Sequence, residues 1–343
     1  MKKPTLKDVA SLAGVSVATA SNVINNKLSK VSKETVSKVL AIVEQLGYQK
    51  DLNALSLKKG ISNMVVVLMP AVEHTDPFES LLVDGPFFSD FLAGIECGAT
   101  AQGLYFSFMR IKSVRQIEML EGGARPTGVI VIGKLSDQVL AAIAAWEFKT
   151  LIVDDKPFFK LHSPAANLID YSIDDFYLAK IATEHLVERG HKRIVLLFGS
   201  LPLSEVHRER FQGVQSALKS AGIANGYCPL IETNLNIEGA QQVFTQIKSA
   251  IEQGATAILC MSDILAIGCY RQLSLCAIKV PQTVSLIGMD NLRILKYLPF
   301  QLTTVSQDIA RRGYRAVQLL IDDSLPVVTD IRLVEGETTA FLL

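Results

Sequence analysis

Short polar side chains cluster in one stretch near the start of the chain, VASLAGVSVATASNVIN, which runs from Val9 to Asn25. Thr19, Ser21 and Asn22 carry hydroxyl and amide groups, which donate and accept hydrogen bonds. The small residues around them let helices approach one another closely. Side chains of this kind recognise other polar groups, and the surrounding elements indicate which surface they contact.

Two short helices position this stretch. Thr5, with Asp8 three residues later, forms a capping box that begins a first helix, and apolar residues follow at helical spacing. Gly14 ends that helix because a positive φ is needed there. Ser16 then caps a second helix over residues 17–24. Two helices joined by a short turn containing glycine form a helix-turn-helix motif, whose second helix enters the major groove of DNA.

A third helix is predicted to begin after Ser32 and to run to Leu46, with Gly47 closing it. Its buried stripe is expected to consist of Val36, Val39, Leu40, Val43 and Leu46. The three helices make an all-α head of residues 1–48. Residues 49–61 are predicted to be a linker that can fold as a short helix, because so few residues are marginal as a helix alone.

The charge of the chain is unevenly distributed. Residues 1–60 carry ten lysines, four acidic residues and no arginine, whereas the whole chain is formally neutral. A basic head on an acidic body is typical of nucleic-acid binding, although a solvated lysine face is the alternative. The lysines would supply positioning and salt-dependent affinity rather than sequence information.

The composition also excludes some classes of protein. The chain of 343 residues is 49% hydrophobic and 20% charged, as in an ordinary globular protein. It contains no apolar run of the roughly 18 residues that a membrane span needs, and MKKPTLKD has no apolar stretch behind its lysines as a secretory signal has. The five cysteines are scattered, so free thiols are expected. We therefore expect a cytoplasmic protein, associated with the nucleoid.

After Gly60 apolar runs alternate with helical stretches. MVVVLM (64–69), GVIVI (128–132) and IVLLF (194–198) predict buried strands, and DDFYLAKIATEHLVERG (174–190) predicts a helix. Alternating buried strands and helices indicate parallel sheets in an α/β body. A body of this length is large for one sheet, so two similar lobes are expected.

Together these features resemble the lactose-repressor (LacI/GalR) family of transcription regulators. The resemblance covers essentially the whole chain, and it rests on the head and on ATEHLVERGHKRIVLLFG (182–199), SDILAIGCYRQL (262–273) and LTTVSQDIARRGYRAV (302–317). It implies a homodimeric repressor of carbohydrate-utilisation genes that binds a near-palindromic operator. It also implies a hinge helix at 49–61 and allosteric control by a small sugar-like effector.

The same resemblance implies a two-lobed, periplasmic-binding-protein-like core at residues 62–343. Its N-lobe is expected at about 62–168 and 307–323, and its C-lobe at about 169–306 and 324–343. The family's C-terminal leucine heptads are not present, which favours a dimer over a tetramer. Whether the effector acts as an inducer or as a co-repressor is left open by the sequence.

At the start of the second helix, Val17 and Ala18 are expected to face base edges, with Ser21 and Asn22 one turn later. The family usually has arginine where this chain has Asn22, and an amide pairs best with adenine. We therefore expect an A·T pair where relatives read G·C; the alternative is that Asn22 caps the helix or contacts phosphate. The predicted DNA contacts are Thr5, Ser16, Val17, Ala18, Thr19, Ser21, Asn22, Asn25, Ser32, Asn53, Ala54, Leu57 and Lys58.

Within the hinge, Leu57 aligns with the family's leucine that wedges into the minor groove at the operator centre. Asn53 and Ala54 would flank it, and an ordinary packed linker leucine is the alternative. The family often has proline-asparagine before this helix, where this chain has Lys50 and Asp51. The timing of hinge folding is therefore open.

Three polar residues stand where the family places effector contacts, namely Arg210, Asp290 and Asp154. Arg210 could clamp a hydroxyl pair or a carboxylate with both nitrogens, and the two aspartates, which follow predicted strands, could accept from hydroxyl groups. The alternative for each is an ion pair or a helix cap. Where the family has asparagine, this chain has Ser262, which is shorter and predicts a cleft that is roomier or relies more on water.

Two further features bear on the effector. Lys134, together with Arg210, would favour an acidic or phosphorylated sugar; a solvated loop lysine is the alternative. Phe87, like Phe78 and Phe88, could stack on a sugar face, or it could belong to the core.

Two other functions compete with this interpretation. An enzyme is not expected, because the chain contains no G-x-G-x-x-G, P-loop or nucleophile-elbow motif, and its histidines lack metal-ligand spacing. His185 on an apolar helix face is expected to be a core histidine, and no cofactor or metal is predicted. An extracytoplasmic sugar-binding protein would fit the core alone, but the basic head argues against it.

Overall fold

A computed structural model describes residues 4–24, 31–46, 48, 62–71, 85–122, 125–155, 167–202, 204–224, 227–322, 324–327 and 330–342. The chain divides into two compact units, Met1–Ser62, which contains the head, and Asn63–Leu343, the core. Several residues singled out above lie outside the described residues: Asn25, Gly47, Lys50, Asp51, Asn53, Ala54, Leu57, Lys58 and Phe78.

The head has the three predicted helices, α1 (Leu6–Ala13), α2 (Val17–Ile24) and α3 (Lys33–Leu46). The capping box is present, because Thr5 Oγ1 accepts from the Asp8 amide at 3.4 Å and an Asp8 carboxylate oxygen accepts from the Thr5 amide at 2.7 Å. Gly14 follows α1 with φ of 64°, as the turn requires.

A small core holds the three helices together. Its buried side chains are Val9, Ala10, Ala13, Ala20, Val23 and Val39. The prediction for α3 was wrong at one position, because Leu40 is 49% exposed. Val36, Val39 and Val43 follow one line along α3, whereas Leu40 lies a quarter-turn away, beyond the narrow strip that two short helices can cover.

The first lobe of the core is a five-stranded parallel sheet in the order β2-β1-β3-β4-β5. The strands are β1 (Met64–Pro70), β2 (Tyr105–Ile111), β3 (Gly128–Ile132), β4 (Thr150–Val153) and β5 (Leu168–Tyr171). Its helices are α4 (Gly85–Ala101), α5 (Val114–Glu121) and α6 (Asp137–Ala144). Both faces of the sheet are covered, so its central strands are apolar throughout.

The second lobe is a six-stranded sheet in the order β11-β10-β9-β8-β6-β7, in which β11 alone of these strands is antiparallel. Its strands are β6 (Ile194–Phe198), β7 (Leu230–Glu232), β8 (Ala257–Cys260), β9 (Ser285–Asp290), β10 (Thr303–Ser306) and β11 (Arg332–Val334). Its helices are α7 (Asp175–Glu188), α8 (Glu205–Ser220), α9 (Ile237–Gln242), α10 (Phe244–Glu252), α11 (Asp263–Leu275) and a 3₁₀-helix (Arg293–Tyr297). The prediction of a helical head and two parallel-sheet lobes is confirmed.

Helix α12 (Ile309–Ile321) follows the second sheet in sequence but packs on α4 of the first lobe. The two backbones touch where glycines face them. A Cβ added at Gly94 would lie 1.9 Å from the Ala310 carbonyl oxygen, and one at Gly313 would lie 2.1 Å from that of Phe91. This close crossing fixes α12 to the first lobe, so the chain crosses between the lobes immediately before it.

No helix in the described parts of the chain combines the length and apolar character that a bilayer crossing requires.

Candidate functional sites: a DNA-reading helix and an interlobe cleft

Helix α2 turns one face into the head and the other outward. Ala20 and Val23 are fully buried or nearly so, whereas Val17, Ala18 and Asn22 are exposed and Ser21 is half-buried. The exposed residues are the ones predicted to face base edges. An exposed amide that follows two small apolar residues provides both hydrogen-bonding and methyl-contacting groups on one surface.

Three of the predicted DNA contacts also cap helices. The hydroxyl oxygen of Ser16 accepts from the Thr19 amide at 3.0 Å and lies 2.8 Å from the Thr19 hydroxyl. Ser32 makes the same pair of contacts with Thr35, at 3.2 and 2.8 Å. Thr5 caps α1. A serine that caps by accepting through its oxygen can still donate its own hydroxyl hydrogen, so this role leaves Ser16 and Ser32, both exposed, able to donate to phosphate.

A cavity of about 500 Å³ lies between the two lobes of the core. Its first-lobe wall follows the carboxyl ends of β3 and β4 and includes Phe87, Lys134 and Asp154. Its second-lobe wall is the start of α8, including Glu205 and Arg208. Parallel α/β sheets characteristically bind small ligands at such strand ends.

Phe87 meets Phe88 edge-on, with ring centroids 5.4 Å apart, so these two rings form the aromatic part of the wall. Lys134 is exposed at the cavity. The second-lobe wall carries an ion pair between Glu205 and Arg208. The cavity therefore combines aromatic surface with charges of both signs.

The three other predicted effector contacts are buried, and none of them lines this cavity. Arg210 donates from Nε to an Asp175 carboxylate oxygen at 2.9 Å and from Nη1 to the Met261 carbonyl at 2.9 Å. Ser262 caps α11 by accepting from the Leu265 amide at 3.2 Å. Arg210 thus takes part in an ion pair, the alternative considered for it, and Ser262 caps a helix.

Asp154 and Asp290 are joined by two side chains that sequence reasoning missed. One terminal nitrogen of Arg312 donates to both carboxylate oxygens of Asp154, at 2.8 and 2.9 Å, and the other donates to the Gln307 side-chain oxygen. The Gln307 amide nitrogen donates to Asp290 at 2.6 Å. We call this chain of contacts, Asp154–Arg312–Gln307–Asp290, the relay.

Asp175 and Asp263 also escaped prediction. Both stand in the first turn of a long helix, where an acidic residue ordinarily interacts with the helix dipole and gives no further signal. Asp263 in fact accepts from the Thr304 hydroxyl at 2.6 Å and from the Leu292 amide at 2.9 Å, which ties three segments of the second lobe together.

Burial dominates the electrostatics beneath the cavity. It raises the pKa of Asp290 to about 6, although the Arg210 charge and the Gln307 hydrogen bond work in the opposite direction. Burial likewise raises the pKa of Asp263 well above its usual value. Burial disfavours the charged form of Arg210, but the Asp175 and Asp290 carboxylates outweigh it and raise the guanidinium pKa. The buried arginines Arg210 and Arg312 thus each have a carboxylate partner within the protein.

The sequence matches two family models, "Bacterial regulatory proteins, lacI family" over residues 5–51 and "Periplasmic binding protein-like domain" over residues 183–339. Among curated proteins, the HTH-type transcriptional repressor PurR of Aliivibrio salmonicida is 31% identical over 93% of this chain and 91% of its own length. PurR of Vibrio atlanticus is likewise 31% identical, with the same coverage.

Solved structures resemble the fold. The lac repressor dimer bound to operator and the anti-inducer ONPF is 25% identical, with a TM-score of 0.64 over 99% of this chain and all of that one. A LacI-family regulator from Enterococcus faecium with bound ribose has a TM-score of 0.66 at 22% identity, covering 81% of this chain and all of that one. The CelR–cellobiose complex has a TM-score of 0.64 at 21% identity, covering 98% and 99%.

Proposed function

The chain belongs to the LacI family of bacterial regulatory proteins, and we propose that it is a homodimeric repressor of carbohydrate-utilisation genes. In this proposal α2 reads a near-palindromic operator, residues 49–61 form the hinge, and a small sugar-like effector binds between the lobes of the core. The protein would act in the cytoplasm, at the nucleoid, without enzymatic activity or a cofactor. The observation that carries the proposal is the division of α2 into a buried and an exposed face.

In the head, we assign base recognition to Asn22, with Val17 and Ala18 contacting thymine methyl groups. The side chain of Asn22 is exposed on the face of α2 opposite Ala20 and Val23. Its amide can donate to N7 and accept from N6 of adenine, a pairing that discriminates by about 1–3 kcal/mol. Thr5, Ser16, Thr19 and Ser32 would contact phosphates, which orients the head without reading sequence.

Binding-site selection with the wild type and Asn22→Ala tests this assignment. We expect the variant to lose the preference for adenine at one position of each half-site and to keep the preferences elsewhere. Gln45→Ala, which removes an exposed amide from α3, is the matched control and should leave every preference unchanged. If the base preferences of Asn22→Ala equal those of the wild type, Asn22 does not read a base.

In the core, the cavity favours an uncharged, hydroxyl-rich ligand over an acidic one. The guanidinium groups of Arg210 and Arg312 are already engaged by Asp175 and Asp154, so neither is available as a free anion-binding fork. Phe87 and Phe88 offer rings on which a sugar can stack. Ribose and cellobiose, which occupy two structural relatives, are ligands of this class.

Thermal unfolding of the full chain with D-ribose, cellobiose and gluconate tests the ligand class. A neutral sugar that binds should raise the midpoint, since a ligand at a hundredfold excess over its Kd stabilises by about 2.7 kcal/mol. We expect gluconate to have no effect. A shift with gluconate alone would instead support the acidic ligand that Lys134 suggested.

Retention of genomic DNA fragments, with and without the same sugars, tests the repressor function itself. The full chain should retain some fragments over bulk competitor DNA. An inducer would release them and a co-repressor would strengthen retention, with a coupling of about 1–3 kcal/mol in either case. Equal retention of all fragments under every condition would contradict the proposed function.

A further inference from the structure

The relay connects the two lobes through one buried arginine. The Arg312 side chain is 2% exposed and lies between two first-lobe rings, its guanidinium carbon 5.7 Å from the ring centre of Phe91 and 5.6 Å from that of Tyr171. The Tyr171 hydroxyl donates to the Arg312 carbonyl at 3.1 Å. Side chain and backbone are thus both fixed in the first lobe.

Gln307 carries the connection to the second lobe. It follows β10 of the second sheet, two residues before α12 begins, so it lies on a segment that crosses between the lobes. Its side-chain oxygen accepts from Arg312, and its nitrogen donates to Asp290 at the end of β9. Because an amide offers one acceptor and one donor group in fixed geometry, Gln307 couples the positions of Arg312 and Asp290.

A second segment that crosses between the lobes contacts the Asp154 carboxylate, which also pairs with Arg312. Asp154 accepts from the backbone amide of Ile173, between β5 and α7, at 3.3 Å. The Asp154 carboxylate therefore contacts both Arg312 and the segment between β5 and α7, where the chain first crosses from one lobe to the other. A change in the position of Arg312 would be felt at both crossings.

The backbone is strained around the relay. Among the described residues five non-glycines have positive φ, and four of them lie at the relay or beside it: Asp154 (55°), Asp290 (111°), Asn291 (54°) and Asp308 (47°). Aspartate and asparagine adopt this region more readily than other non-glycine residues, and such conformations persist where surrounding contacts hold them, often at ligand clamps and switch regions. Their grouping here indicates that the relay holds the lobes in one defined arrangement.

We propose that Arg312 is a positioning residue for the effector cleft, which sets the relative placement of the two lobes by fixing Asp154 in one and, through Gln307, Asp290 in the other. This inference rests on the proposed function, since it assigns the cleft its coupling element. An effector that changes the lobe arrangement must then either break the contacts of the relay or move its residues together. Arg312 need not touch the ligand to do so.

Two native cysteines of the chain can carry spin labels that test this proposal. Cys97 on α4 is exposed in the first lobe and Cys276 after α11 is exposed in the second, whereas the other three cysteines are buried. Nitroxides on these two residues allow double electron–electron resonance to measure the interlobe distance in the full chain. Dilution with unlabelled protein suppresses distances between subunits.

We expect a narrow distance distribution for the wild type and a broader one, displaced to longer distance, for Arg312→Met. Gln307→Leu should change it in the same direction, although it leaves the Asp154–Arg312 ion pair in place. Arg311→Met is the matched control. The Arg311 side chain, next to Arg312 in the sequence, is 77% exposed and contacts only Asp308 among the ion pairs described. The distance distribution of this variant should equal that of the wild type. Circular dichroism verifies that each variant is folded.

The inference is overturned if folded Arg312→Met or Gln307→Leu gives the wild-type distribution, or if Arg311→Met broadens it as much. Should Arg312→Met not fold, Gln307→Leu decides alone. Retention of genomic DNA by the wild type is measured on the same preparation. Its failure contradicts the proposed function, whereas an unchanged interlobe distance contradicts only the role of Arg312.

Discussion

The head and the cleft place their polar residues in opposite ways. In the head, Asn22 and the capping serines are exposed, and each capping serine contacts a threonine three residues away. In the core, near the cleft but not lining it, Arg210, Asp290 and Arg312 are buried and contact residues from distant parts of the chain. The exposed polar surface of the head is built from local contacts, whereas the buried polar network of the core is built from many segments.

This difference has an energetic consequence. An exposed functional residue can be removed without leaving an unpaired group inside the protein, so Asn22→Ala should alter recognition and hardly alter stability. A buried polar residue contributes to both. Substitutions at buried and exposed positions should therefore differ in their cost to stability.

Arg210→Met should reduce the free energy of unfolding by about 3–5 kcal/mol, because it leaves the Asp175 carboxylate buried without its partner. Urea unfolding measures the loss. Arg208→Met is the control, since Arg208 pairs with Glu205 near the surface and should cost about 1 kcal/mol or less. Equal losses in both variants would remove the distinction between buried and exposed charges.

His185 extends the contrast to the C-terminal segment. It is 3% exposed, as predicted for a core histidine, and its Nε2 lies 2.9 Å from the Thr339 hydroxyl oxygen. Burial, assisted by Arg189, lowers its pKa to about 4, below the ordinary 6.5 of the unfolded chain. The neutral form therefore contributes stability that is complete above pH 6.5 and is lost as the pH falls through about 4.

The comparison of wild type with His185→Gln isolates this effect. Relative to the variant, the wild type should lose about 3 kcal/mol between pH 6.5 and 4, given about 1.36 kcal/mol for each unit of pKa. The difference is measured rather than the single curve, because the raised pKa of Asp290 acts in the opposite direction over the same range. A difference that stays constant with pH would show that His185 does not titrate in this way.

Val39→Ala should destabilise the head by about 2 kcal/mol, because Val39 is fully buried among the few side chains that hold the three helices. Amide hydrogen exchange of α1 to α3 should accelerate about thirtyfold. Leu40→Ala, at an exposed position on the same helix, should change exchange little. An equal acceleration in the two variants would instead support the buried stripe predicted from the sequence, which contains both Val39 and Leu40.

Ser32→Ala should cost about 1 kcal/mol through the lost cap of α3. Ser16→Ala removes the equivalent cap of α2 and should cost a similar amount, seen as faster exchange in that helix. Because Ser16 adjoins the reading face, its variant should also weaken DNA retention more than Ser32→Ala. Equal retention by the two variants would indicate that both serines act only as caps.

Local sequence signals predicted the head well. Thr5 with Asp8, Gly14 and Ser16 each specify a helix end through contacts within four residues, so the helices begin and end where these residues indicated. Leu40 was misplaced because a helical stripe shows which side chains share a face, but not how wide the covering partner is. In the core, long apolar runs identified the central strands, whereas short polar strands such as β10 (TTVS) and β11 (RLV) gave no periodic signal.

The amino-acid order by itself determined the helix ends, the buried strands and the separation of a basic head from an α/β core, because these depend on capping, hydrophobic period and charge along the chain. Only the tertiary structure decided that Asp154 and Asp290 are bridged by Arg312 and Gln307 and that Arg210 pairs with Asp175. Those partners are separated by up to 158 residues. No local pattern encodes such distances, and burial, which sets the ionisation of the cleft, exists only once the chain has folded.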